Sequence, residues 1–220
     1  MPPRYRLPEK QKRKNMKPLF VVCSVALLAA CASNAPVVQE ESTSYDSTTQ
    51  ARVRLYGQNQ KPTIMVSGID CEAEDRRARR GHKVNVGGSL GDAFGSFAGT
   101  ARSRSLGIAE TEHSKNIGQM NGILSRAFFR EYAVPAGKAV NVQAAYIGLR
   151  NAMTSPSVTV IQHEGSCNTR MASFVPQAGH DYEVIGLQGG RCAVAVYEVG
   201  TQGELKPVEL QDAVSCRRRR

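Results

Sequence analysis

Alternating polar and apolar residues run through much of the chain from residue 51 onward. Residues 52–56 (RVRLY) alternate strictly, which predicts a strand with one buried and one solvated face. The Gly- and Gln-containing residues 57–61 predict a turn, and residues 62–67 (PTIMVS) then predict the partner strand of a hairpin. The folded part of the chain is therefore expected to begin with two neighbouring strands.

The C-terminal half shows the same pattern more often. Short runs rich in β-branched residues are separated by Gly- and Pro-containing turns, and they cover residues 139–146, 157–162, 171–175, 182–187 and 192–199. Residues 124–134 fit a helix or a strand, and the turn signal at 135–137 favours the strand. This spacing predicts a mainly β fold, an antiparallel sandwich or barrel.

The middle segment, residues 72–123, interrupts this strand pattern. Small residues recur every four positions within 87–107, at Gly87, Gly91, Gly95, Gly99, Ser103 and Gly107. On a helix they would form one small-residue face, similar to the glycine zippers of some envelope lipoproteins. Because so much glycine destabilises a helix, we favour an irregular or partly helical, loosely packed insertion.

The N-terminal region has the features of an export signal. Lys17 precedes residues 18–30, an apolar run of 13 residues that is too short to span a bilayer of ~30 Å. Residues 28–31 (LAAC) resemble the lipobox of bacterial lipoproteins. The resemblance implies cleavage between Ala30 and Cys31 and attachment of diacylglycerol to the Cys31 thiol. A membrane lipid is then the first expected partner.

These features divide the chain into four parts. Residues 1–30 are expected to be a signal peptide whose true start is Met16; the alternative is a start at Met1 with a long n-region. The polar residues 31–50 are expected to be a lipidated flexible tether. Residues 51–216 would form the domain, and residues 217–220 a basic tail. Because Ala follows Cys31, enterobacterial sorting rules imply the outer membrane, with the domain facing the periplasm or the cell surface.

Three segments together carry a family resemblance: residues 52–56, residues 134–142 (VPAGKAVNV) and residues 174–184 (FVPQAGHDYEV). They resemble a group of bacterial lipoproteins of unknown function whose domain is similar to a prealbumin-like β-sandwich. The resemblance covers about residues 51–200 and implies a fold. It implies no activity, because one fold hosts many functions.

The net charge of +10 is concentrated outside the domain. Residues 1–31 hold seven Lys or Arg and one acid, so the remainder carries 22 basic and 18 acidic side chains, a net of +4. The four arginines at 217–220 account for that excess. A nucleic-acid partner is not expected from a neutral domain. The tail would either contact anionic lipid or remain a solvated end.

Four cysteines follow Cys31 in the chain: Cys71, Cys167, Cys192 and Cys216. In an exported protein an even number favours disulfides, and three pairings are possible. If residues 168–198 form a meander, the first and last strands place Cys167 near Cys192, which leaves Cys71 for Cys216. There is no CxxC pair and no His-x₃₋₅-His spacing, so neither a metal site nor a cofactor is expected.

Residues 87–91 (GGSLG) match the G-x-S-x-G pattern of a nucleophile elbow, with Ser89 as the nucleophile. That elbow also needs a large hydrolase sheet and a distant Asp and His, whereas His180 and Asp181 are adjacent. We therefore expect a non-catalytic binding or structural role. Two alternatives stay open: an accessory lipoprotein of a secretion or envelope-assembly machine, with an envelope protein partner, and a small serine hydrolase.

Overall fold

The computed structural model describes residues 38–40, 44–58, 61–122, 125–150, 163–187 and 192–216. At 38–40, 146–150 and 163–167 it describes the backbone alone. All of these residues belong to one compact unit, Ala35–Arg220.

The described elements are mostly short strands. The strands are β1 Val38–Glu40, β2 Gln50–Gly57, β3 Thr63–Ile69, β4 His82–Val86, β5 Ser103–Ser105, β6 Phe128–Pro135, β7 Ala139–Gln143, β8 Ala145–Arg150, β9 His163–Asn168, β10 Ala172–Phe174, β11 Asp181–Leu187, β12 Ala193–Val199, β13 Leu205–Pro207 and β14 Gln211–Asp212. The helices are α1 Arg76–Arg80, α2 Leu90–Ala98, α3 Glu112–Lys115 and a 3₁₀ turn, Ile117–Met120.

Two sheets form the sandwich. The seven-stranded sheet has the order β1-β5-β6-β2-β11-β12-β13, the five-stranded sheet has the order β14-β10-β7-β3-β4, and β8 and β9 form a separate hairpin. The expected mainly β sandwich is confirmed. The five-stranded sheet is antiparallel, whereas the larger sheet also contains parallel pairs, including β2 with β11 at its centre.

The core lies between the two sheets and is built mainly from inward-facing residues of their central strands. Ala51, Val53 and Leu55 of β2 are fully buried, and they pack with inward-facing residues of the other strands. Those partners include Met65, Val86, Phe128, Val140, Val142, Phe174, Val184 and Val196. The alternation in the sequence therefore identified the inner face of β2 correctly.

The expected hairpin of β2 and β3 is wrong. β2 pairs with β6 and β11 in one sheet, and β3 pairs with β4 and β7 in the other. The chain changes sheets after Gly57, where a side-chain Cβ would lie 2.6 Å from the carbonyl oxygen of Val86. Glycine at this position lets the two sheets approach closely at the corner.

The middle segment is partly helical, as expected, but it is not simply an insertion. Its strands β4 and β5 extend the five-stranded and the seven-stranded sheets. Part of the segment expected to be a tether, 31–50, lies in strands: β1 pairs in parallel with β5, and β2 begins at Gln50. Residues 157–162, a predicted strand, lie outside the described residues.

Candidate functional site

The outward face of β2 carries the polar half of its alternating pattern: Arg52, Arg54 and Tyr56. Arg54 and Tyr56 are nevertheless buried. They are covered by residues 105–120, which run from the end of β5 through α3 to the 3₁₀ turn and which we call the outer strap. The face of β2 that was predicted to be solvated is therefore largely buried. It forms one side of a second interior, which is lined by polar residues.

Arg54 lies between two buried carboxylates. The strand register places it directly opposite Glu131 of β6 and Glu183 of β11. Its Nη2 donates to Glu131 Oε1 at 2.7 Å and to the carbonyl oxygen of Ile108 at 2.8 Å, and its Nη1 donates to Glu183 Oε2 at 3.2 Å. Complementary charges on three adjacent strands therefore satisfy one another.

Glu183 is fully buried and accepts several further hydrogen bonds. Tyr56 Oη donates to Oε2 at 2.9 Å, Thr111 Oγ1 donates to the same oxygen at 2.7 Å, and His113 Nδ1 lies 2.6 Å from Oε1. Burial alone would raise the pKa of Glu183, but the bonds from His113, Thr111 and Tyr56 and the charge of Arg54 hold that pKa below its ordinary value. The carboxylate is thus stabilised in its charged form.

The strap is fastened by the same acids and by the neighbouring arginine. Glu131 Oε2 accepts from Ser105 Oγ at 3.0 Å and from the backbone N–H of Ile108 at 3.2 Å. Arg52 pairs with Asp181 at 2.7 Å and donates from Nη1 to the Leu106 carbonyl at 2.7 Å. These contacts join the strap to the sheet at several points, and they explain the burial of so many charges.

His113 is the partly exposed member of this network. Its side chain lines a concavity of about 240 Å³ between α3, the 3₁₀ turn and the end of β11, together with Glu112, Asn116, Gln119, Met120, Ile185, Gly186 and Leu187. An imidazole held by a buried carboxylate has the arrangement of a general base. None of the described lining residues carries a hydroxyl or thiol nucleophile, and the volume is below the roughly 300–1,000 Å³ of small-molecule sites.

A second concavity, of about 280 Å³, is lined by Arg76, Arg79, Arg80 and Cys216. The Cys71–Cys216 disulfide lies beside it, with a Cα–Cα distance of 5.1 Å. The bond holds Cys216 beside the arginine-rich helix α1.

Ser89 occupies the strand–turn–helix context that the elbow pattern requires, between β4 and α2. Its backbone is extended, with φ −85° and ψ 154°, and its Oγ accepts from the Asp92 backbone N–H at 3.0 Å. This is the conformation of an ordinary helix N-cap. The two histidines with described partners, His113 and His180, bond to Glu183 and Glu198 instead.

The cysteines stand as follows. The predicted Cys71–Cys216 bond is present, and Cys192 is also disulfide-bonded. The side chain of Cys167 lies outside those described, so its pairing with Cys192 stays a prediction. Ala30 and Cys31 also lie outside the described residues.

The buried network was missed because its polar residues alternate with apolar ones, which is the pattern of a solvated face. A usable signal was the sign of the charges: arginines on residues 52–56, with acids at 131 and 183 on other predicted strands and at 181 directly before one of them. Charges of opposite sign on neighbouring strands pair when the register aligns them. The register itself was not available from the sequence.

No family model, curated protein or solved structure matches this chain. The resemblance to prealbumin-like lipoprotein domains therefore stays a prediction. No group of three or more His, Cys, Asp or Glu in the described part of the chain is placed to hold a metal ion. None of the described helices is long and apolar enough to cross a membrane.

Proposed function

We propose that this protein is an envelope lipoprotein, anchored to the outer membrane by acyl chains on Cys31, whose domain has a non-catalytic binding or structural role in the periplasm. The observation that carries the proposal is the Cys71–Cys216 disulfide, which joins residues 145 positions apart. Such bonds persist in oxidising compartments and are rare in the cytosol. An export signal that ends in LAAC supplies the route to that compartment.

The distance along the chain supports an anchor close to the domain. Val38, the first residue of β1, follows Cys31 by seven residues. Seven extended residues reach at most about 25 Å. A lipidated Cys31 would therefore hold the sandwich next to the bilayer surface rather than far into the periplasm.

The side chains that could act as a nucleophile or a base already make structural contacts, which favours a non-catalytic role. Ser89 caps a helix, and the carboxylates of Glu131 and Glu183 accept hydrogen bonds from Arg54 and from the outer strap. If Ser89 were a nucleophile, Ser89→Ala would abolish an esterase signal from the purified protein. We expect the wild type and this variant to show the same background rate with a chromogenic ester.

Metabolic labelling with radioactive palmitate tests the anchor. The wild type should incorporate label and sediment with membranes, whereas Cys31→Ser should lose the label. Cys23→Ser is the matched control, because Cys23 lies within the apolar signal run and should be dispensable for labelling. An unlabelled wild type, or equal labelling of Cys31→Ser, contradicts the proposal.

A stand-alone role is separated from an accessory one by crosslinking in intact cells. The tagged, lipidated protein is isolated after crosslinking, and its partners are identified by mass spectrometry. Recovery of one stoichiometric envelope protein would favour the accessory role. Recovery of lipid and the tagged chain alone would favour an independent structural role.

A further inference from the structure

Helix α2 exposes its apolar side chains. Leu90, Phe94 and Phe97 are 84, 73 and 56 % exposed. They are spaced at i, i+4 and i+7, so they lie on one face of the helix. Three large apolar side chains together on the outside of a nine-residue helix form a contiguous patch, which we call the α2 apolar face.

The opposite face of the same helix is polar and buried. Asp92 and Ser96 point into the protein, where Asp92 pairs with Arg130 and accepts from the backbone N–H of Gly87. Ser96 Oγ donates to the carbonyl oxygen of Arg126 at 2.7 Å. These bonds fix the rotation of the helix, so the α2 apolar face is held outward by specific contacts. The usual amphipathic arrangement of a soluble protein is inverted.

Two cationic residues lie near the C-terminal end of α2. Arg102 and Arg126 are exposed, and Arg126 lies over the C-terminal end of the helix, where a Cβ on Gly99 would be 2.9 Å from its Cζ. Asp92 is the only acid within residues 87–107, and it is buried against Arg130. An exposed apolar helix face with arginines near one end of the helix complements a bilayer that contains anionic phospholipid.

The fold also places this helix next to the start of the described chain. Val38 of β1 pairs with Ser103 of β5. Two residues before Ser103, Ala101 donates its backbone N–H to the Gly95 carbonyl of α2 at 2.9 Å. Val38, the first residue of β1, therefore lies close to α2. Acyl chains on Cys31 would bring the α2 apolar face within reach of the same bilayer.

We propose that the α2 apolar face is a second membrane contact, which inserts Leu90, Phe94 and Phe97 at the boundary between headgroups and acyl chains while Arg102 and Arg126 meet lipid phosphates. The contact fixes the orientation of the sandwich on the membrane. A bilayer is favoured over a protein partner by the cations near the C-terminal end of α2 and by the short link to Cys31. The expected closeness of α2 to the bilayer rests on the proposed lipidation of Cys31.

The absence of tryptophan from the chain makes a direct test possible. Phe97→Trp in the full-length protein, purified from bacterial membranes, gives a single fluorescent reporter on the α2 apolar face. Val175→Trp is the matched control, since Val175 is also apolar and 55 % exposed but lies after β10. Both are reconstituted into phosphatidylethanolamine and phosphatidylglycerol vesicles, with or without brominated acyl chains.

The F97W emission should shift to shorter wavelengths in vesicles, and brominated chains should quench it at least about twofold, whereas V175W should show neither effect. Replacing Arg102 and Arg126 by Glu should reduce the quenching of F97W. Unshifted, unquenched F97W emission would overturn the inference. A blue shift without bromine quenching would also overturn it, because a second copy of the chain or another protein would then cover the face.

Mass spectrometry of the N-terminal peptide in the same samples reports lipidation independently. A lipidated protein with unquenched F97W would refute the α2 contact and leave the anchor standing. A protein without lipid whose F97W is quenched would refute the anchor and support the contact. The disulfide Cys71–Cys216, verified by non-reducing peptide mapping, shows that each variant is folded.

Discussion

Arg54 shows how a charge can be buried in this small sandwich. Removing a guanidinium from water is costly, and the cost is offset only when the partners are charged and well placed. Glu131, Glu183 and the Ile108 carbonyl supply those partners, and the Phe129 ring lies 4.9 Å from the Arg54 Cζ. Burial would lower the pKa of Arg54, but Tyr56, Glu131 and Glu183 raise it above its ordinary value.

Glu183→Gln should destabilise the protein by about 3 kcal/mol at pH 7, because it removes one charged partner of a buried arginine. The measurement is urea unfolding followed by circular dichroism. Glu198→Gln is the control: Glu198 also bonds to a histidine, His180, but both side chains are partly exposed. Its loss should cost less than about 1 kcal/mol. Equal effects of the two variants would contradict a buried charge network.

The pH dependence of stability should report the same carboxylate. The folded-state pKa of Glu183 lies below its ordinary value of 4.5, so its contribution is complete above about pH 4.5 and is lost as the pH falls through the folded-state pKa. The stability difference between wild type and Glu183→Gln should therefore narrow on acidification below pH 4.5. A difference that stays constant from pH 7 to pH 3 would show that folding does not lower the pKa of Glu183.

At the scale of elements, helix α2 and strand β6 each carry a phenylalanine, and truncating the two should have very different effects on stability. Phe97 is 56 % exposed, whereas Phe128 is 1 % exposed in the core. Phe97→Ala should change the free energy of unfolding by less than about 0.5 kcal/mol, as surface substitutions do. Phe128→Ala should cost about 3–5 kcal/mol because it leaves a cavity. Unfolding in denaturant measures both, and a large loss from Phe97→Ala would mean that α2 packs face-inward.

The elements differ in how well the sequence predicted them. Strand β2 was predicted from its alternation, β6 from the turn signal that follows it, and β11 and β12 from β-branched runs between Gly- and Pro-containing turns. The pairing of β2 with β6 and β11 was not found, because alternation carries no information about partners and Gly57 sends the chain to the other sheet. The Arg54 network depends on that pairing, so it was missed with it. Helix α2 was not predicted as a regular helix, because glycine is frequent in it and because its apolar side chains face outward.

At the scale of the whole molecule, the Cys71–Cys216 disulfide links the segment after β3 to the segment after the last described strand. Cys71 follows β3 and Cys216 follows β14, strands on either side of the five-stranded sheet. A closed loop of this length restricts the unfolded chain far more than a local hydrogen bond does. The bond also holds the end of the domain beside α1, where Arg76, Arg79 and Arg80 line a common concavity.

Replacing both cysteines, Cys71→Ser with Cys216→Ser, should therefore lower the free energy of unfolding by about 2–4 kcal/mol without changing the fold. Both must be replaced, because a single variant would leave a free thiol able to exchange with the disulfide of Cys192. Chemical denaturation measures the loss, and circular dichroism checks that the sheets remain. If the double variant matched the wild type in stability, the β14 end would be held by its strand pairing and by the Asn141–Val214 hydrogen bonds alone.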